Sequence, residues 1–159
     1  MKVVILAAGQ GTRLRPLTDD RPKCMVEVNG KSILERQLDT MHECGIKDSD
    51  ITIVAGYRSD VLQNKFADTD IDVIINDNFE TTNMVCSLMC ARKLMEAQED
   101  VLVSYGDIIY NDVVLKKILA SGEAASVIVD DGWYSYWRER CENPLDDAET
   151  LMFDGNDYL

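Results

Sequence analysis

The sequence has one histidine, three prolines and five cysteines in 159 residues. The lone histidine, His42, argues against a Ser-His-Asp mechanism and reads as a surface or packing residue. The cysteine count is odd and no Cys-x-x-Cys occurs, which disfavours a Cys/His zinc site. Reduced thiols in a cytoplasmic protein are the expectation. Cys86 and Cys90, one helical turn apart, are expected to pack as small apolar residues. Few prolines and nine glycines exclude a collagen-like or linker-dominated chain. No apolar run approaches the roughly 18 residues of a membrane span. The run over residues 3–8 is shorter than the about 7–15 residues of a signal-peptide core, and the charged GQGTRLR follows at once. No membrane association is expected.

Positive charge is also scarce. Lys and Arg number 16 against 29 Asp and Glu, a net charge of −13. Residues 1–70 carry 10 basic and 11 acidic side chains, whereas residues 71–159 carry 6 and 18. Such a chain is not expected to bind duplex nucleic acid or an anionic membrane surface. The near-neutral front can still hold a local basic site for an anion. The acidic back reads as a solvated surface that aids solubility.

Apolar residues at 46% and charged residues at 28% are ordinary for a globular protein, and the length suggests one domain over residues 1–159. Strand and helix signals alternate. The β-branched run at residues 2–7 reads as a fully buried strand of a parallel sheet, ended by Gly9 and Gly11. Residues 32–43 read as a helix, with Ser32 and Glu35 as a capping box and Gly45 just past its end. Further strands are predicted at 50–55, 71–75, 101–104 and 124–129. Further helices are predicted at 60–66, 83–97 and 112–120, the last capped by Asp112. This alternation implies an α/β fold with a doubly wound, mostly parallel sheet of Rossmann-like kind. At the end of the chain, residues 150–153, the Asp154-Gly155 turn and residues 157–159 read as a hairpin cut off in its return strand. The expectation is a C-terminally truncated fragment; a short frayed terminus is the alternative.

The densest chemistry is at the front, over LAAGQGTRLRPLTDDRPKCMVEVNGKSILERQL. Two glycines leaving a buried strand let the backbone turn tightly and approach a ligand. Successive N–H groups of such a turn form an anion nest. Arg13, Arg15, Arg21 and Lys23 place four cations within eleven residues. Arg grips phosphate oxygens in a fork and Lys acts as a point charge. Together they suggest a polyphosphate site. The stretch is neither a Walker A loop nor the GxGxxG fingerprint, since Leu14 stands where the third glycine is required. Asp107, after the strand at 101–104, is the second element of the site. Ligands of doubly wound sheets sit beyond the strands' carboxyl ends, where strand order reverses. A carboxylate beside a triphosphate requires an intervening cation, and Mg²⁺ is the natural one.

The pattern LAAGxGTRLxPLTxxxPKxMVxVxGxxxLE resembles the signature of the nucleotidyltransferases with the sugar-phosphate nucleotidyltransferase fold. Residues 77–92, DNFETTNMVCSLMCAR, resemble a segment of bacterial choline-phosphate and phosphonate cytidylyltransferases. The resemblance implies that Leu6, Ala7, Ala8, Gly9, Gly11 and Thr12 contact the nucleotide. It implies that Arg13 binds the β- and γ-phosphates and that Lys23 holds the α-phosphate or the acceptor phosphate. Gly56 and Tyr57 would sit near the base, with Asn83 and Ser87 closing its pocket. Asn83 has the donor and acceptor that a pyrimidine edge needs, and it is also a good helix N-cap. The family's aspartate at position 107 is a metal ligand; its second metal aspartate has no match in this sequence. The aromatic cluster Trp133, Tyr134, Tyr136 and Trp137 could cage a quaternary ammonium, or pack into the core.

The reaction implied is attack by an acceptor phosphate or phosphonate oxygen on the α-phosphorus of an NTP, with pyrophosphate leaving. CTP and a small acceptor such as phosphocholine or 2-aminoethylphosphonate are favoured. A sugar-1-phosphate nucleotidyltransferase is the alternative enzyme, and a non-catalytic nucleotide-binding regulatory module is the alternative of another class. A homodimer is left open.

Overall fold

The apolar run at the front forms β1 (Lys2–Ala7), in which Val3, Val4 and Ile5 are fully buried. The structure, a computed structural model, describes residues 1–96 and 99–146. After β1 comes a short antiparallel pair, β2 (Glu27–Val28) and β3 (Lys31–Ser32). It turns on Asn29-Gly30, with φ of 51° and 75°, the left-handed pair a tight hairpin requires. Helix α1 (Ile33–Glu43) follows, then β4 (Ile51–Ala55), α2 (Ser59–Phe66) and β5 (Asp72–Ile75). Helices α3 (Met84–Cys90) and α4 (Arg92–Glu96) precede β6 (Val101–Tyr105) and α5 (Asp112–Leu119).

The four long strands form one sheet in the order β5-β4-β1-β6, and every pairing is parallel. Side chains alternate between its faces, so consecutive residues of β1 enter different cores. Val3, Ile5 and Ala7 pack with Leu34, Leu38 and Met41 of α1, Leu62 of α2 and Leu115 of α5. Val4 and Val54 pack on the other face with Ala91 and, around it, Leu88 and Leu94. The helices between β1 and β5 cover one face; those between β5 and β6 cover the other. That is the doubly wound arrangement the alternating pattern predicts.

Local chemistry explains α1. Ser32 caps it, accepting from Glu35 N, while the Glu35 carboxylate accepts from Ser32 N at 2.9 Å. Three local expectations are corrected. The helix expected over 83–97 is two helices, meeting at Ala91, which is 1% exposed and seated against Val4 and Val54. The chain tightens there, with Ala91 N donating to Leu88 O and Leu94 N to Ala91 O, both at 2.9 Å. Helix α5 is capped by Asn111, whose Oδ1 accepts from Val114 N at 3.1 Å. Asp112 pairs instead with Lys116 one turn on, at 2.7 Å. Cys86 and Cys90 are exposed, and the buried thiol is Cys24.

The chain divides into two compact units, Met1–Ser121 and Gly122–Leu159. Within the second, α6 (Trp133–Arg138) is followed by a short turn at Pro144–Asp146. The strand expected at 124–129 is absent there, and its residues are exposed. β-branched residues supply propensity, but a strand also needs a neighbour to complete its hydrogen bonds. Among the described residues, no strand of either sheet pairs with residues 124–129. The hairpin expected over 150–159 lies outside the described residues. No helix among the described residues is long and apolar enough to cross a membrane.

Candidate functional site

β1 and β6 are hydrogen-bonded neighbours, yet the chain visits β4 and β5 on β1's other side before reaching β6. That reversal is a topological switch point, and its crevice lies beyond the carboxyl ends of the two strands. The glycine turn leaves β1 there, and Gly106-Asp107 leaves β6.

Packing holds the turn in shape. Gly11 has φ +62°, and a Cβ on it would lie 2.9 Å from Lys23 Cβ. Its carbonyl accepts from Thr18 Oγ1 at 2.9 Å, and Thr18 is fully buried. The Thr18 carbonyl accepts from the Tyr57 hydroxyl at 3.0 Å, and Tyr57 N donates to Ala8 O at 3.0 Å. A Cβ on Gly56 would come within 2.6 Å of Phe79 Cβ and 2.7 Å of Ala8 O. The Tyr57 and Phe79 rings meet edge to face at 6.4 Å. Gly9 differs, because no atom of the described residues stands within 4 Å of where its Cβ would be. What glycine leaves at position 9 is open space against the backbone, as a cradle for a ligand needs.

The opposite wall is equally close. Gly106 N donates to Leu6 O at 2.8 Å. A Cβ on Gly106 would lie 2.9 Å from that oxygen and 3.0 Å from Ala7 Cβ. Asp107 therefore leaves β6 directly against the end of β1, and Lys23 Nζ donates to its Oδ2 at 2.6 Å. The two side chains are 31% and 41% exposed, so screening leaves the pair a small share of stability, about 0–1 kcal/mol. Its importance is positional: a cation and a carboxylate share the mouth of the turn. Arg15 lies 3.6 Å from Asp19 and Arg21 2.8 Å from Asp20. Thr12 and Arg13 are exposed in a short 3₁₀ turn. The neighbouring thiol of Cys24 is buried, and burial pushes it up to about 12, which makes it a packing group rather than a nucleophile.

Leu6, Ala7, Ala8, Gly11, Lys23, Gly56, Tyr57 and Asp107 are thus joined in one network. Asn83 and Ser87 stand in a second. Asn83 caps α3, its Oδ1 accepting from Val85 N and Cys86 N, both at 3.1 Å. Ser87 is buried and accepts from Asn76 Nδ2 at 3.0 Å, while the same amide donates to Thr82 Oγ1. The turn that Asn76 organises also carries Phe79 against Gly56, and its Glu80 accepts from Gln10 at 3.4 Å. Thr18, Gln37, Asn76 and Phe79 are structural residues of this region that the sequence reading missed. Gln37 gave a signal, since it lies on the apolar stripe formed by Ile33, Leu34, Leu38 and Met41. Thr18 and Asn76 gave none, because their partners are distant in sequence or lie in loops.

In the second unit, Arg138 lies 6.0 Å from the centre of the Tyr134 ring, and Arg140 5.4 Å from those of Tyr136 and Trp137. The cations over these rings are the chain's own.

A doubly wound parallel sheet, with a glycine turn facing a carboxylate across its switch point, defines an α/β domain with a candidate ligand crevice at that point. The family profile of the MobA-like NTP transferase domain matches residues 3–151, and the chain belongs to that family. It is 41% identical to the CTP:phosphoglutamine cytidylyltransferase of Campylobacter jejuni over 100% of its own length and 64% of that relative. It is 34% identical to the choline-phosphate cytidylyltransferase of Streptococcus pneumoniae over 99% of its length and 61% of that protein. Among solved structures, the CTP:phosphocholine cytidylyltransferase from Streptococcus pneumoniae superposes with a TM-score of 0.59 at 32% identity, over 70% of this chain and 49% of that one. The chain spans less than two thirds of the length of these relatives.

Proposed function

We propose that the protein containing this chain transfers CMP from CTP to a small phosphorylated or phosphonylated acceptor and releases pyrophosphate. An acceptor oxygen attacks the α-phosphorus, a new P–O–P link forms, and the bond to the pyrophosphate oxygen breaks. The acceptor is already an anion, so no general base is needed. Catalysis then rests on positioning and charge neutralisation. The turn from Leu6 to Arg13 would cradle the triphosphate with backbone N–H groups, and Arg13 would fork onto the β- and γ-phosphates. Lys23 would neutralise the α-phosphate or the acceptor phosphate. Gly56 and Tyr57 would border the base, and Asn83 and Ser87 would close its pocket.

Asp107 is the candidate ligand for Mg²⁺. Among the described residues no cluster of three or more His, Cys, Asp and Glu could hold a metal unaided. A single hard oxygen donor at the mouth of a phosphate cradle suits Mg²⁺, which takes one or two carboxylates with phosphate oxygens and waters. Bound there, the ion would neutralise phosphate charge.

The observation that carries this reading is the pairing of Lys23 with Asp107 at the open glycine turn. The 41% identity to a relative named for CTP favours cytosine as the base. Pyrophosphate release is the test, with each NTP offered phosphocholine, 2-aminoethylphosphonate, phosphoglutamine or a hexose 1-phosphate. Turnover with CTP and a non-sugar acceptor is expected. Turnover only with UTP or dTTP and a hexose 1-phosphate would make this a sugar-nucleotide enzyme. CTP binding without turnover in any combination would make it a binding module.

A further inference from the structure

We infer that Gln37 of α1 is a positioning residue, which fixes the turn carrying Asp107 and so sets how well that carboxylate meets a nucleotide-bound divalent cation. The inference rests on the function proposed above.

Gln37 is fully buried on the apolar stripe of α1. Its Nε2 donates to Tyr105 O at 2.8 Å and to Ile108 O at 2.5 Å. Those carbonyls bracket Gly106 and Asp107, so one amide group clips both ends of the turn. The inner side of the turn is fixed separately by Gly106 N on Leu6 O at 2.8 Å. Thr40, one helical turn beyond Gln37, shares its hydroxyl proton between Arg36 O of its own helix at 3.0 Å and Tyr110 O at 3.3 Å. Asp107 is thereby anchored from β1 and from α1, while its side chain stays open to solvent.

Two features separate this from ordinary packing. Among the described residues, the buried Gln37 Oε1 has no hydrogen-bond partner. A methionine or leucine would fill the space without stranding a polar atom, so the amide's presence is explained by its donors. The amide orientation is also dictated by the turn: flipping it would set Oε1 against two carbonyl oxygens. Glutamine supplies two N–H groups on one atom, whereas glutamate would place a carboxylate there.

The test measures Mn²⁺ binding by electron paramagnetic resonance, with the full chain, in the presence and absence of CTP. Circular dichroism confirms folding of every variant at the assay temperature. Wild type is expected to bind Mn²⁺ more tightly with CTP, and Asp107→Asn to lose that gain. Gln37→Met, folded, is expected to weaken CTP-dependent Mn²⁺ binding at least fivefold. The double variant Gln37→Met/Asp107→Asn is expected to match Asp107→Asn alone, because one residue acts through the other. If Gln37→Met does not fold, Gln37→Asn replaces it; that side chain keeps both N–H groups but is too short to reach both carbonyls, and the same loss is expected. A folded Gln37 variant with wild-type Mn²⁺ affinity overturns the inference, as do losses that multiply in the double variant. If wild type shows no CTP-dependent gain, or Asp107→Asn keeps it, the nucleotide reading of the site fails and this inference with it.

Discussion

Gly9 and Gly106 stand at the ends of β1 and β6 under different constraints. Gly106→Ala would force a Cβ to 2.9 Å from Leu6 O and 3.0 Å from Ala7 Cβ. Overpacking of that kind lowers stability by about 1–3 kcal/mol. Gly9→Ala meets no atom of the described residues within 4 Å, so its stability should stay within about 0.5 kcal/mol of wild type. If the open space beside Gly9 is where phosphates approach, the same methyl weakens CTP binding. Urea unfolding and CTP titration on the two variants separate stability from binding; unchanged CTP affinity in Gly9→Ala would contradict the cradle. Glu35 gives a prediction in pH. The Lys65 ammonium at 2.7 Å, then the Ser32 hydroxyl and N–H, hold its carboxyl down at about 2, from an ordinary value of 4.5. A carboxyl depressed by folding contributes stability that is fully present above pH 4.5 and is lost as pH falls toward 2. Glu35→Gln should flatten the fall in thermal midpoint across that window and leave the remaining acid sensitivity in place. An unchanged profile would show that the pair with Lys65 does not act on folding.

At the scale of elements, α1 links the sequence to the site. Ser32→Ala removes a cap and should lower stability by about 1 kcal/mol, read as a shift in the urea midpoint at constant slope. Its capping box was legible because every part lies within four residues. β1 was legible for a similar reason, since a β-branched run between a Lys and two glycines has little else to become. Asn29-Gly30 marks the turn of the β2–β3 hairpin, but its flanking strands are only two residues each, too short for an alternating pattern to show. The break at Ala91 was not legible: no glycine or proline marks it, and Ala91's burial with Val4 and Val54 is a contact between distant parts of the chain. The same holds for residues 124–129, where composition suggests a strand and neither sheet of the described residues includes them.

At the scale of the molecule, alternation of strand and helix foretold a doubly wound sheet but not its order. The order β5-β4-β1-β6 places Lys23 against Asp107 across 84 residues of sequence, and Gln37 beneath the same turn. Long-range placements of this kind leave no local pattern; the candidate residues were legible from motif, and their assembly from topology alone. In the proposed function, Asp107 would hold a divalent cation that neutralises the nucleotide's phosphates at the glycine turn. Calorimetric titration of CTP into wild type and Asp107→Asn, with Mg²⁺ and with excess chelator, tests it directly. With Mg²⁺, Asp107→Asn should bind CTP at least about tenfold more weakly, a loss of roughly 1.4 kcal/mol. With the metal chelated the order should invert or level, because an uncompensated carboxylate repels phosphate. Equal affinities of the two proteins for CTP in the presence of Mg²⁺ would contradict the account.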